Sequence, residues 1–348
     1  MKEQSLNFIY WFAYYNLDSP SVRYRAQFPL EFFKKKYGIN SYLIIPGYSL
    51  IRIIKFVTAY FSALFMLKKD SIIVIQRVNS NFVFSNLLKL LVKIRKKDMV
   101  YDLDDADYLE YNPKTIYYFA KRCKVISAGS KKIAEHLSQF NTSIVHTTSP
   151  IVDLNIVKKK RNELFTVGWI GGFGGEHKDS IIKYVFPALR EISFNFRLIL
   201  LGVINDSDSK FITNYFSTTK NMEVVIPRNI NWHNELDIQN CIVKFDVGIA
   251  TLLDTEIQRS KSGIKAKQYM NNGIPVVSTD LPENDSVIID GENGFFCTNS
   301  LDFKNRITEF YEMSEREYNG FSANARYSIK NFNHDRYLLD LVKIKNKM

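Results

Sequence analysis

The feature that most constrains this chain is an alternation that runs along nearly its whole length. Short apolar runs rich in Ile, Val and aromatics take turns with longer amphipathic ones. In the first half the strand-like runs fall at 6–12, 42–45, 71–76, 99–103, 124–127 and 143–146. Helical patterns occupy 22–37, 81–95, 114–121 and 130–140 between them. A polar, basic stretch at 157–163 (VKKKRNE) reads as a linker, and then the pattern restarts. Strand-like runs follow at 165–170, 196–201, 222–226, 245–250, 275–278 and 294–296, with helices expected at 177–192, 209–216, 234–243, 263–271 and 302–313. Strands that are apolar almost throughout are buried on both faces, which means parallel sheets covered by helices. Two such series predict two doubly wound, Rossmann-like α/β domains over 1–157 and 158–330. A closing helix near 334–345 is expected within a last segment, 331–348. The length, 348 residues, fits two domains. In sheets of this kind ligands bind at the carboxyl ends of the strands, so function is sought in the strand-to-helix loops.

Composition excludes several classes. With 46% hydrophobic and 24% charged residues, the chain can bury a core and is neither disordered nor collagen-like. Cys123, Cys241 and Cys297 are too few and too scattered for a disulfide framework or a cysteine zinc site, and they suit a reducing compartment. The net charge of +11 is lopsided: residues 1–157 hold 22 basic and 12 acidic side chains, a net of +10, and the rest is nearly neutral. A basic half suggests an anionic partner or plain solubility. No nucleic-acid recognition motif accompanies it, so a nucleic acid is not an expected partner. The N-terminus lacks a small-residue cleavage site and reads as a first strand, not a signal peptide. The apolar stretch 50–67 is interrupted by Arg52 and Lys55 and closed by Lys68 and Lys69. It falls short of a membrane span and reads as a helix that is soluble or lies on a membrane surface.

Three motifs carry chemistry. The strand 165–170 runs into Gly171-Gly172-Phe173-Gly174-Gly175. Glycines at such a turn let backbone N–H groups approach an anion, although the spacing fits neither a dinucleotide fingerprint nor a P-loop. A tight turn and a nucleotide contact both remain open. The segment 254–273 (DTEIQRSKSGIKAKQYMNNG) crowds Arg259, Lys261 and Lys265 at a helix start. Helical spacing puts Lys261, Lys265 and Gln268 on one face, opposite Ala266 and Met270. Two ammoniums, an amide and a helix N-terminus suit a diphosphate. Finally, Asp102, Asp104, Asp105 and Asp107 follow the strand 99–103. Four crowded carboxylates need a cation, a donor network or solvent. A Mg²⁺ or Mn²⁺ site, hydrogen bonding to sugar hydroxyls and a helix cap are the alternatives.

These blocks resemble a family. Residues 246–296, with DVGIATLL, KSGIKAKQYM, GIPVVS and ENGFF, are similar to the donor-binding region of retaining glycosyltransferases of family 4, which have the GT-B fold. VGWIGGFGG (167–175), VISAGSKKIAEHL (125–137) and YDLDDADY (101–108) resemble further blocks of that family. The resemblance implies two Rossmann-like domains facing a central cleft, the donor nucleotide-sugar on the second and the acceptor on the first. It implies retention at the anomeric carbon and no cofactor or obligatory metal. Gly171, Gly172, Arg259, Lys261, Ser262, Gly263, Lys265 and Gln268 become expected donor-binding residues, and Asp104 and Asp105 the expected catalytic ones. Where the family often carries two glutamates, this chain has Ser260 and Gln268. Where it often carries an arginine, this chain has Trp169.

The expected activity is sugar transfer from a nucleotide-sugar to a glycan or lipid-linked glycan, in surface polysaccharide synthesis. The expected location is the cytoplasm, peripheral on an anionic inner membrane face. An inactive scaffold in a polysaccharide-assembly complex and a sugar-nucleotide 2-epimerase are the alternatives.

Overall fold

A computed structural model describes residues 6–158, 160–281 and 286–348. Lys159 of the expected linker lies outside the described residues, as do 282–285 of the block 246–296. The chain divides into two compact units: Met1–Val152 with Ser260–Ser262 and Phe332–Met348, and Asp153–Arg259 with Gly263–Asn331.

The first unit is built on six parallel strands: β1 (Phe8–Ala13), β2 (Asn40–Ile44), β3 (Ser71–Gln76), β4 (Met99–Leu103), β5 (Val125–Ala128) and β6 (Ile144–His146). Their order across the sheet is β2-β1-β3-β4-β5-β6. β1, β3, β4 and β5 are buried along their whole length, which is what their unbroken apolar runs require. The connecting helices are α1 (Pro20–Val22), α2 (Phe28–Tyr37), α3 (Leu50–Phe65), α4 (Phe82–Arg95), α5 (Asp107–Glu110), α6 (Pro113–Arg122) and α7 (Lys131–Leu137). A π-turn, Arg23–Gln27, joins α1 to α2 within the helical pattern expected over 22–37. Asn81, Asn112 and Ser130 cap α4, α6 and α7, each accepting a hydrogen bond from a first-turn amide.

The second unit repeats the plan with β7 (Phe165–Ile170), β8 (Phe196–Leu201), β9 (Met222–Val225), β10 (Val247–Ala250), β11 (Val276–Thr279) and β12 (Gly294–Cys297). All pairings are parallel, in the order β12-β11-β10-β7-β8-β9. Its helices are α8 (Gly175–Ser180), α9 (Phe186–Arg190), α10 (Asp206–Tyr215), α11 (Glu235–Ile242), α12 (Ile264–Asn271), α13 (Ser300–Glu312) and α14 (Glu315–Ser328). The last helix, α15 (His334–Asn346), belongs to the first unit and buries Tyr337, Leu341 and Ile344 in its core beside Phe33 and Leu30.

The chain order fixes where a ligand can sit. In the second sheet the strands run outward from β7 to β9, then return to place β10 on the other side of β7. In the first sheet β1 lies between β2 and β3 in the same way. Neighbouring strands whose chains leave in opposite directions open a gap at their carboxyl ends, and that is where such sheets bind ligands.

Two expectations need refining. The linker stretch 157–163 is anchored, not free: Val157, Lys160, Asn162 and Glu163 are exposed, and Lys158 is buried. The buried Lys158 ammonium lies 3.1 Å from Asp246, whose carboxylate also accepts from the backbone and side-chain amides of Asn162 at 2.9 Å each. Lys158 N–H donates to the Asn272 carbonyl at 2.9 Å, so this segment is tied to the second unit. The helix α14 had no expected counterpart.

Candidate functional site

In the second unit the β7/β10 switch point is framed by the glycine turn after β7 and the loop after β10. The two come together although they are far apart in sequence. Lys265, in the first turn of α12, extends its side chain over the turn: a Cβ on Gly171 would sit 3.0 Å from Lys265 Cε. Its ammonium is 3.2 Å from His177 Nδ1, at the start of α8, and 5.8 Å from the centre of the buried Trp169 ring. Gly202, at the end of β8, closes the turn from the other side; its φ of +105° and its contact with the Gly171 carbonyl leave no room for a side chain. Glu176 ties the turn to the following loop. Its carboxylate accepts from Gln258 at 2.6 Å and from the Thr255 hydroxyl at 3.2 Å. The cap of α12 is Gly263 in the left-handed conformation, φ +63°, which contributes no side chain to the helix end.

The basic helix start departs from the expected face. Lys261 precedes α12 and is not on a helical face with Lys265. Residues 260–262 group with the first unit, where the Lys261 ammonium pairs with Asp105 at 2.8 Å. Burial alone would lower its pKa; the Asp105 carboxylate outweighs that and holds it above the ordinary value. Arg259 is exposed and ion-paired with Asp254. Gln268 is buried and not displayed on an open face, alongside Ala266 and Tyr269. Ser262 lies with Lys261 before the helix, and Gly172 lies in the turn with open space around it. Of the expected donor-binding residues, the structure therefore brings Gly171, Gly172, Gly263 and Lys265 to the second unit's switch point.

In the first unit the four aspartates are held by a donor network. Arg25, from the π-turn, is fully buried and forks onto both oxygens of Asp102, with Ser127 and Thr147 completing the set. Arg77, just past β3, reaches Asp105 at 2.7 Å and takes Asp107 in a two-pronged bond at 2.5 and 2.9 Å. Asp104 accepts from the Ser21 hydroxyl at 2.7 Å and lies 3.9 Å from Arg77. Burial pushes its carboxyl up to about 6, against the pull of Arg77 and Arg25. Burial likewise raises Asp107. The cap reading fails, since Ala106, not an aspartate, stands at the start of α5 and makes no side-chain cap. Among the described residues no group of three or more His, Cys, Asp or Glu is arranged to hold a metal ion. Around the β1/β3 switch point, Tyr15 lies under Arg77 at 4.7 Å and accepts from Asn79 at 3.1 Å. Arg25, Arg77, Tyr15 and Asn79 had no motif to announce them. His136 stacks on Tyr108, ring centres 3.9 Å apart, and is hydrogen-bonded to Tyr117.

Comparison with known proteins agrees with this layout. Residues 165–313 match the family described as glycosyl transferases group 1. No curated protein sequence matches the chain. The structure resembles Anabaena Alr3699/HepE in complex with UDP-glucose, with a TM-score of 0.67 at 14% identity over 99% of this chain and 100% of that one. Sucrose-phosphate synthase from Thermosynechococcus elongatus gives 0.70 at 10% identity over 99% of each chain. The pneumococcal O-GlcNAc transferase GtfA, in complex with UDP and GlcNAc, gives 0.60 at 14% identity over 84% of this chain and 60% of that one. The two Rossmann-like halves thus form the GT-B fold, and the group 1 domain marks the chain as a glycosyltransferase.

Proposed function

We propose that the protein transfers a sugar, with retention, from a UDP-sugar bound by the second unit to a glycan or lipid-linked glycan acceptor bound by the first. The observation that carries this reading is the meeting of Lys265 with the Gly171 turn at the carboxyl end of β7. As the bond to the anomeric carbon breaks, negative charge builds on the leaving diphosphate. A fixed ammonium already standing over the turn stabilises it without reorganising. The nearby His177 accepts from this ammonium through Nδ1 and so helps to fix its position. UDP is favoured as the nucleotide because two of the similar structures named above hold UDP or a UDP-sugar.

On the acceptor side, Asp104 and Asp105 are the residues proposed to meet the attacking hydroxyl. Their pairing with Arg77 and Lys261 supports chemistry without an obligatory metal, since each carboxylate already has a cationic neighbour. In a retaining transfer the leaving phosphate can take the acceptor proton, so no strong side-chain base is required. Membership of family 4, and a role in surface polysaccharide synthesis, are part of the same proposal and rest on the sequence blocks quoted above.

The test is calorimetry with UDP. Lys265→Ala should weaken binding by about 1–3 kcal/mol, the range for a hydrogen bond to a charged group. Lys261→Ala, whose partner is Asp105, should lose less. Equal affinity for wild type and Lys265→Ala would remove this lysine from the donor site. NMR of the first-formed product would read retention directly from its anomeric configuration.

A further inference from the structure

We infer that the outer face of α3 and α4 is a membrane-docking surface that lies flat on an anionic phospholipid leaflet, with its aromatic and aliphatic side chains inserted between the headgroups. On α3, Leu50, Ile54, Val57, Phe61 and Phe65 are all exposed. They follow one another at steps of three or four residues, so they form one continuous stripe. The opposite side of the helix is the packed one, with Ala59, Tyr60 and Ala63 buried in the core of the first unit. A helix that is apolar on both sides, with one side in water, is under-covered. Next to it α4 leaves Phe82, Val83, Leu90 and Ile94 exposed. The two helices touch: Tyr60 donates to the Leu87 carbonyl at 2.9 Å, and Arg95 to that of Leu64 at 3.0 Å. Their stripes therefore belong to one surface. Patches of that extent on a soluble domain mark an interaction site.

Charge says what covers it. Residues 41–97 carry ten basic side chains and one acid, Asp70, and so hold nearly all of the positive excess of the first half of the chain. Lys68 and Lys69 sit past the end of α3; Lys93, Lys96 and Lys97 cluster at the end of α4. Lys68, Lys69, Lys93, Lys96 and Lys97 are all exposed. At the start of α3 a groove of about 410 Å³ has Leu43, Ile45 and Ile51 for walls and Arg52 and Lys55 beside them. Apolar stripes bordered by ammoniums match the acyl and phosphate layers of an anionic leaflet. A second copy of the chain would bring the same positive charge against itself, which disfavours a dimer through this face. Nor does α3 cross a bilayer. Its sixteen residues span about 24 Å against a hydrocarbon core of about 30 Å.

The inference rests on the first unit alone and not on the donor chemistry. The experiment is co-sedimentation of the full chain with vesicles of phosphatidylcholine, or of phosphatidylcholine mixed equally with phosphatidylglycerol. The wild type should bind the mixed vesicles and leave the neutral ones. Phe61→Ser with Phe65→Ser should lower partitioning by at least about tenfold, since large apolar side chains no longer insert. Lys93→Gln and Lys97→Gln should each lower it roughly fivefold. Phe61→Trp should shift its emission to the blue when mixed vesicles are added. UDP affinity and the thermal melt should stay unchanged in all of these variants, which separates failure of docking from failure of folding or of donor binding. No partitioning of the wild type, partitioning unchanged by the paired serines, or a wild-type dimer dissolved by those serines would overturn the inference.

Discussion

Asp104 shows how much a single residue can owe to neighbours that sequence spacing does not reveal. Its place after β4 was visible from the DLDDAD run; its partners were not. Arg25 and Arg77 reach the aspartates from 77 and 30 positions away, and nothing in the order of the chain pairs them. The crowding of carboxylates read from the sequence was real, and its remedy turned out to be guanidinium and ammonium groups. For the same reason Lys261 and Lys265 looked alike on a helical wheel, whereas α12 starts only after the left-handed Gly263 that stands between them. With its carboxyl held near 6, Asp104 is ionised at neutral pH and becomes protonated as pH falls through about 6. If the carboxylate is the form that meets the acceptor hydroxyl, turnover declines below that point. Asp104→Asn should lower turnover and remove the inflection, and EDTA should leave the wild-type rate unchanged. A profile whose inflection survives in Asp104→Asn would take this residue out of the reaction. Loss of activity in EDTA, restored by Mn²⁺, would replace the metal-free reading.

At the scale of elements, the glycine turn after β7 is held in shape by a strand that contributes no side chain to it. Gly202 presses its backbone on Gly171 from the end of β8 with φ +105°. Gly202→Ala adds a methyl group both where L residues are strained and where a carbonyl already stands. It should cost about 1–3 kcal/mol in urea unfolding, and weaken UDP binding because the turn must move. Gly172→Ala, with open space around it, should stay within about 0.5 kcal/mol of wild type. Comparable losses in both would show that the turn is not braced in this way. Elements were legible where burial is uniform: β3, β4, β7 and β8 have the bounds their apolar runs announce. They were less legible at edges. β2 begins at Asn40 because its backbone pairs with β1, even though Asn40 and Ser41 are polar. α14 was missed because 315–328 is mostly polar; the signal available was the Ser314/Glu317 capping box at its start.

For the molecule as a whole, the telling feature is that the first unit is completed by the last helix. Its opening residue, His334, is buried against Phe32, ring centres 4.9 Å apart, and burial lowers its pKa from 6.5 to about 4. The unfolded chain therefore takes up this proton first. The stability that the neutral, buried imidazole contributes is fully present above pH 6.5 and is lost as pH falls towards 4. The loss is on the order of 2–3 kcal/mol. A His334→Gln variant should show a smaller drop in unfolding free energy between pH 7 and 4 than the wild type, in paired denaturant titrations. Identical pH slopes would show that this histidine does not govern the acid limit. The same arrangement sets an order of events during synthesis. A ribosome that has released residues 1–152 has exposed all six strands of the first sheet, yet Phe33 and Leu30 still lack the helix that covers them. At translation rates of about 5–20 residues per second, that cover arrives roughly 10–40 s later. During that interval the nascent first half shows bare apolar surface, so the second half must fold while the unit made before it is not yet closed.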